Sequence, residues 1–221
     1  MNMTTALAMT SAMSHRERLV EALAGRATDR PPISLWRHFG GIDMTPDGLA
    51  SAMVGFQTAF DFDFVKFMPT GTYTIIDWGA ETVWEPNEHG VRTVRSLPVR
   101  TPDDWARLSP LDTSRGVLGM VNDALAQTAD SLGRDVPVLQ TIFSPLTTAR
   151  KLAGPAALAH LRQHPDVFAA GMTTIEQVTA TLIDDAVARG ADLFYVFQSA
   201  SADILTADET RRWEIDVARR L

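Results

Sequence analysis

The run Phe64-Val65-Lys66-Phe67-Met68 limits what this chain can fold into more than any other stretch. It is short and almost wholly apolar, and it is closed by Asp63 on one side and by Pro69 and Gly71 on the other. A parallel strand covered on both faces looks like this. Pro69 has no N–H to give to a ladder, so the strand should stop there, and we take it as the central strand of a sheet. It delivers Lys66, Tyr73, Asp77 and Trp78 around its carboxyl end, where α/β proteins place their chemistry. The same residue types also cap and plug a barrel rim, and both readings stand at this point.

Three further strand candidates share the pattern: Ile33–Trp36, Val136–Phe143 and Leu193–Phe197. Helical segments separate them, and their starts are marked. Ser14 with Glu17, and Thr206 with Glu209, are capping boxes, while Thr45-Pro46 and Ser144-Pro145 place a cap before a proline. Strands alternating with helices predict an α/β fold with a parallel sheet. A closed (β/α)8 TIM-type barrel needs eight strands, so four describe its first half or more. Residues 14–221 are therefore expected to be the amino-terminal part of a single TIM-type barrel domain. Residues 1–13 are expected to be a disordered leader, and residues 80–96, around Pro86-Asn87-Glu88-His89-Gly90, a hairpin insertion.

Composition narrows the partners. A net charge of −7, with 20 Lys and Arg scattered along the chain, offers no basic patch, so no nucleic acid is expected. No stretch is long and apolar enough for a membrane. With no cysteine, disulfides and thiolate metal sites are excluded and a cytoplasmic location is expected. His15, His89, His160 and His164 are expected to be solvated rather than metal ligands.

The strand ends supply candidates for binding. Arg37 follows the first strand, ahead of Gly40 and Gly41, and its fork of donors suits a carboxylate or phosphate. The glycines would let a ligand approach the backbone. A surface arginine paired with Asp43 is the other reading of Arg37. Arg150 and Lys151 follow the third strand, and Gln198 and Ser199 follow the fourth. Asp77 is an acid close to the second strand's end, and its other reading is a loop cap.

Arg16-Glu17-Arg18-Leu19, Ala22-Leu23, Gly25, Asp29-Arg30-Pro31-Pro32 and Leu35-Trp36-Arg37 together resemble the amino-terminal signature of the uroporphyrinogen decarboxylase family. Val136-Pro137-Val138 through Phe143-Ser144-Pro145-Leu146-Thr147 is similar to that family's strand leading into a Pro-Trp/Phe-Thr loop. Gly190-Ala191-Asp192 through Phe197-Gln198-Ser199-Ala200 is similar to its Gly-Ala-Asp strand. The resemblance implies a decarboxylating carbon–carbon lyase acting on a porphyrin (tetrapyrrole) carboxylate. In it Arg37 stands where an arginine holds substrate carboxylates, and Ser199 where a serine contacts a substrate side chain. The family's second arginine is Gly41 here, its essential acid is Pro69, and its tyrosine after the Pro-Trp-Thr loop is Lys151.

On this basis the substrate-binding candidates are Arg37, Ser199, Lys66, Tyr73, Lys151 and Gln198, with Asp77 as the candidate catalytic acid. The expected partner is a small anionic, tetrapyrrole-like molecule, with a homodimer as a further expectation. No cofactor is expected. The alternative within the same fold is a corrinoid or thiol methyltransferase, which would bring zinc. A tetrapyrrole-binding fragment without chemistry is a third reading.

Overall fold

The computed structural model describes residues 12–221. The leader expectation falls on residues 1–11, outside the described residues, and on the two that follow. Ser14 opens helix α1 (His15–Leu23) through the reciprocal cap with Glu17. From the first turn Arg18, 4% exposed, reaches Asp29 at 2.6 Å and Asp63 at 2.5 Å. Asp63 also pairs with Arg30 and with His15, and accepts the Ile33 N–H at 2.7 Å. Burial alone would raise the Asp63 pKa, but the hydrogen bonds from Arg30, the Ile33 N–H, Arg18 and His15 outweigh it and hold it at about 2. This buried knot ties the amino-terminal helix to the start of the sheet. His15 is thus held between Asp61 at 3.2 Å and Asp63 at 3.3 Å rather than solvated as expected.

Helix α2 (Pro46–Phe60) starts at the Thr45 cap and ends on Asp61, whose φ of 50° is left-handed. Strand β1 (Val65–Phe67) follows, then a short helix α3 (Tyr73–Ile76) and the hairpin strands β2 (Glu81–Val83) and β3 (Thr93–Ser96). A 3-10 turn (Pro102–Arg107) leads to helix α4 (Gly116–Leu132) and strand β4 (Val138–Phe143). Helices α5 (Pro145–Ala153), α6 (Ala156–Gln163) and α7 (Pro165–Ala188) come next, before strand β5 (Asp192–Val196). Helix α8 (Ala207–Thr210), a π-helical turn (Arg211–Ile215) and helix α9 (Asp216–Ala218) close the described chain.

Strands β1, β4 and β5 form a parallel sheet in that order, with Val65 beside Val138 and Leu139 beside Asp192. The middle strand is β4, and β1, expected at the centre, lies at an edge of this ladder. The expected strand at Ile33–Trp36 is extended chain without a ladder. Its one backbone bond to the sheet runs from the Asp63 N–H to the Ile33 carbonyl at 2.8 Å. Pro31 and Pro32 have no N–H to pair. Ile33, Leu35 and Trp36 are exposed there. The hairpin forms as expected, and the Asn87 side chain orders its turn by bonding Glu85, His89 and Val91 backbone groups.

One face of the parallel sheet is buried. Val65, Phe67, Val138 and Ile142 pack against Leu49 and Met53 of α2, Leu118 and Leu125 of α4 and Val178 of α7. The other face carries Lys66, Leu139 and Phe194, since registered neighbours in a parallel sheet point the same way. A second core holds α5 to α7 around Trp105, Phe168, Met172 and Trp213. There Trp105 Nε1 donates to His160 Nδ1 at 3.1 Å, so His160, expected in solvent, is a core side chain.

Candidate functional site

Alternation along β1 sends Val65 and Phe67 to the helices and Lys66 to the opposite face. Lys66 Nζ lies 3.8 Å from the Trp36 ring centroid and 4.7 Å from that of Phe194. Lys151, in the second turn of α5, sets its Nζ 4.4 Å from the centroid of Phe143. Aromatic faces make a cation tolerable where water is thinned. Burial lowers the pKa of both lysines, and no carboxylate acts against it.

His38 stands within the field of both. Burial lowers its pKa first, the Lys66 and Lys151 charges lower it further, and a hydrogen bond to the Pro69 carbonyl opposes them. Its Nδ1 is buried without a partner. Gly71 lies alongside, where an added Cβ would meet the ring at 3.7 Å. Three nitrogen bases thus gather behind β1 and β4 with no acid among them.

Thr147, Arg150 and Lys151 of α5 line an open cavity of about 430 Å³ together with Gln198 and Ser199 from the loop after β5. Arg150 Nη1 donates to Ser199 Oγ at 2.9 Å, and the Gln198 N–H donates to Thr147 Oγ1 at 3.0 Å. Close to Arg150 lies Glu214, 1% exposed, whose carboxyl oxygens have no hydrogen-bond partner. Burial pushes its pKa up to about 7, against the pull of the Ser144 hydroxyl and the Arg150 charge. Ser144 gives its proton to Thr147 Oγ1 at 2.8 Å, which leaves Glu214 without it. The Tyr195 hydroxyl is likewise buried without a partner, and burial followed by the Glu214 and Glu176 charges raises its pKa.

The remaining expected site residues part company. Lys66 lies within β1, Lys151 lies in α5, and Gln198 and Ser199 lie in the loop after β5. Arg37 is exposed beside a second cavity of about 330 Å³, with His38, Trp84 and Asn87 in its lining. It does not pair with Asp43, whose buried carboxyl has no hydrogen-bond partner. Gly40 and Gly41 make room for Trp84 rather than for a ligand: a Cβ on Gly40 would sit 2.1 Å from that ring. Tyr73 is fully buried and donates to the Thr141 carbonyl at 2.7 Å, so it is a core residue and not a ligand contact. Asp77 spends both oxygens on the Val117 and Leu118 N–H groups, which makes it a helix cap and removes it as the catalytic acid.

The sequence reading passed over His38 and Glu214. A signal for the first existed: of 20 Lys and Arg residues only Lys66 and Lys151 are lysines, and both bear on His38. Glu214 carries none, because only the tertiary packing of the π-helical turn buries it.

Parallel strands joined by helices, with cationic and polar side chains gathered behind their carboxyl ends, define a barrel-type α/β protein. Residues 14–221 match the family model described as Uroporphyrinogen decarboxylase (URO-D), and the chain belongs to that family. Among solved structures it is similar to a methyltransferase from Methanosarcina mazei, with a TM-score of 0.77 and 18% identity. The likeness covers 94% of this chain and 66% of that one. It speaks for the fold: the family and this neighbour imply a TIM-type barrel, of which the parallel sheet seen here is a section. No curated protein matches the chain in sequence. No helix among the described residues is long and apolar enough to cross a membrane.

Proposed function

We propose that this chain holds a carboxylate-bearing small molecule behind its strand ends and serves a uroporphyrinogen decarboxylase-like carbon–carbon lyase reaction, the loss of CO2 from that substrate. One observation carries the reading: Lys66 and Lys151 both bear on His38 and are partly buried, and no carboxylate among the described residues offsets the effect of burial on either lysine. Charges placed out of water call for a counter-charge, and an anionic substrate supplies it. Arg150 and Arg37 each line a cavity in which they could receive further carboxylates, and Ser199 is oriented by Arg150. A tetrapyrrole carboxylate is the substrate class that the family name brings.

The methyltransferase neighbour favours a second reading within the same fold. Zinc activation of a thiol is tested against the residues at hand. The chain has no cysteine, and among the described residues no three His, Asp or Glu side chains gather to hold a metal. These residues do not fit that ion.

Titration of the chain with coproporphyrin III, followed by Soret absorbance and by quenching of tryptophan emission, tests the anion site. Lys66→Gln and Lys151→Gln should each weaken binding by roughly tenfold, on the scale of hydrogen bonds to charged groups of about 1.5–3 kcal/mol. Unchanged affinity in both variants would remove the anion site. Release of CO2 from coproporphyrinogen by wild type, absent in the double variant, would separate lyase chemistry from binding alone.

A further inference from the structure

We infer that Lys151 is an amine nucleophile that forms an imine with the carbonyl of an oxo acid, whose carboxylate Arg150 holds. The inference rests on the reading of this cavity as a carboxylate site and names the class of its substrate.

The geometry singles out Lys151. It lines the cavity of about 430 Å³ with Arg150, Gln198 and Ser199, so a small molecule held by Arg150 lies within reach of the neighbouring side chain. The Arg150 fork is fixed by its bond to Ser199 Oγ at 2.9 Å, which leaves its remaining donors for a ligand. Lys66 is placed differently. Its amine is clamped between the Trp36 and Phe194 rings, and the space it lines amounts to about 10 Å³. Its role is charge. The Lys151 amine, set against the Phe143 ring and shielded from water, is the desolvated kind that attacks carbonyls. Burial lowers the Lys151 pKa.

The chemistry closes on itself. The neutral Lys151 amine adds to the carbonyl carbon, and the carbinolamine takes a proton from solvent and loses water to give a protonated imine; the final hydrolysis returns that proton. When a carboxylate sits β to that carbon, the electron pair of the breaking C–C bond flows to the iminium nitrogen and CO2 departs, leaving an enamine. The enamine carbon takes a proton from water, and hydrolysis of the resulting imine frees the product and the amine. Nothing is oxidised or reduced. This route also fits a proline at position 69, where the resemblance puts an essential acid: the electron sink is the iminium itself, so no carboxylate is needed to steady a cationic intermediate.

The test uses the full 221-residue chain with 3-oxoglutarate as the probe, reduced by borohydride and digested for peptide mass analysis. Glutarate, which has the carboxylates and no carbonyl, is the control ligand. The expected result is a reduced adduct on Lys151, formed at least about tenfold faster than any on Lys66 or on the amino terminus, because only Lys151 shares a cavity with the arginine that holds the carboxylate. Lys151→Arg, which keeps the charge, should lose the adduct while keeping its melting temperature. Glutarate should shield Lys151 from an amine-directed acylating reagent. Shielding by glutarate without a Lys151 adduct would overturn the imine and leave the carboxylate site standing. No shielding and no adduct would overturn the carboxylate site, and the imine with it.

Discussion

Asp77 Oδ1 and Oδ2 accept the N–H groups of Val117 and Leu118 at 2.9 and 2.8 Å, so helix α4 is capped by an acid forty residues upstream. Gly116 fits this contact closely, because a Cβ there would meet Oδ1 at 2.4 Å. Two orphan donors and the positive end of a helix are met at once. Asp77→Ala should destabilise the fold by about 1 kcal/mol, within the range of lost helix caps, and leave coproporphyrin affinity unchanged. Urea melts beside the titration check this; a loss of affinity with an unchanged melt would return Asp77 to the site.

Asp63 makes a steeper prediction. It is 1% exposed on its side chain and carries two guanidiniums, so Asp63→Asn leaves the buried Arg18 with the Asp29 carboxylate alone and takes from Arg30 its buried carboxylate. The expected cost is about 3–5 kcal/mol, the scale of a broken buried pair. Because its folded pKa is depressed from 3.8 to about 2, its contribution is present above pH 3.8 and lost as pH falls through 2. Acid melts of wild type should show this loss in that window, and those of Asp63→Asn should not.

Glu214 works in the opposite sense. Its folded pKa is raised from 4.5 to about 7, so the protonated carboxyl stabilises the fold fully below pH 4.5, and that contribution is lost as pH rises through 7. The swing is on the order of 3 kcal/mol at 1.36 kcal/mol per unit. Glu214→Gln mimics the neutral acid and should flatten the pH dependence of stability between these limits. Equal slopes in variant and wild type would place a solvated, ordinary carboxylate there.

Arg37→Lys probes the outer cavity. Among the described residues the Arg37 side chain bonds only to the His38 carbonyl, at 3.3 Å, and stands 5.5 Å from the Phe39 ring centroid, a place a lysine can also take, so the substitution should leave the melting temperature alone. Losing the bidentate fork should weaken coproporphyrin binding by roughly 1.5 kcal/mol, the low end for a charged hydrogen bond because Arg37 is exposed. Equal affinities would make it a surface arginine.

What could be read in advance was local. Ser14 with Glu17, Thr206 with Glu209, and the prolines after Thr45 and Ser144 announce helices through contacts spanning only three or four residues. The apolar runs at β1, β4 and β5 announce a parallel sheet in the same way. The partial burial of Lys66 and Lys151 was legible because a charge inside or just behind an apolar run has few other places to go. The failures are long-range. Tyr73 is spent on Thr141, Asp77 on α4 and His160 on Trp105, and none of these partners lies near in sequence. Gly40 and Gly41 signalled a close approach correctly, but the approaching group is Trp84 from the hairpin.

The placement of the lysines also governs how this protein can be handled. Apart from the amino terminus, its primary amines are those of Lys66 and Lys151, both partly buried. Amine-coupling surfaces, biotin esters and lysine crosslinkers therefore have nowhere benign to attach: what they modify is either the chain's first residue or its pocket. A lysine-specific protease meets the same constraint. Its two cleavable bonds lie inside β1 and inside α5, so the folded chain should resist such an enzyme while arginine-directed cleavage proceeds at exposed positions such as Arg115 and Arg211.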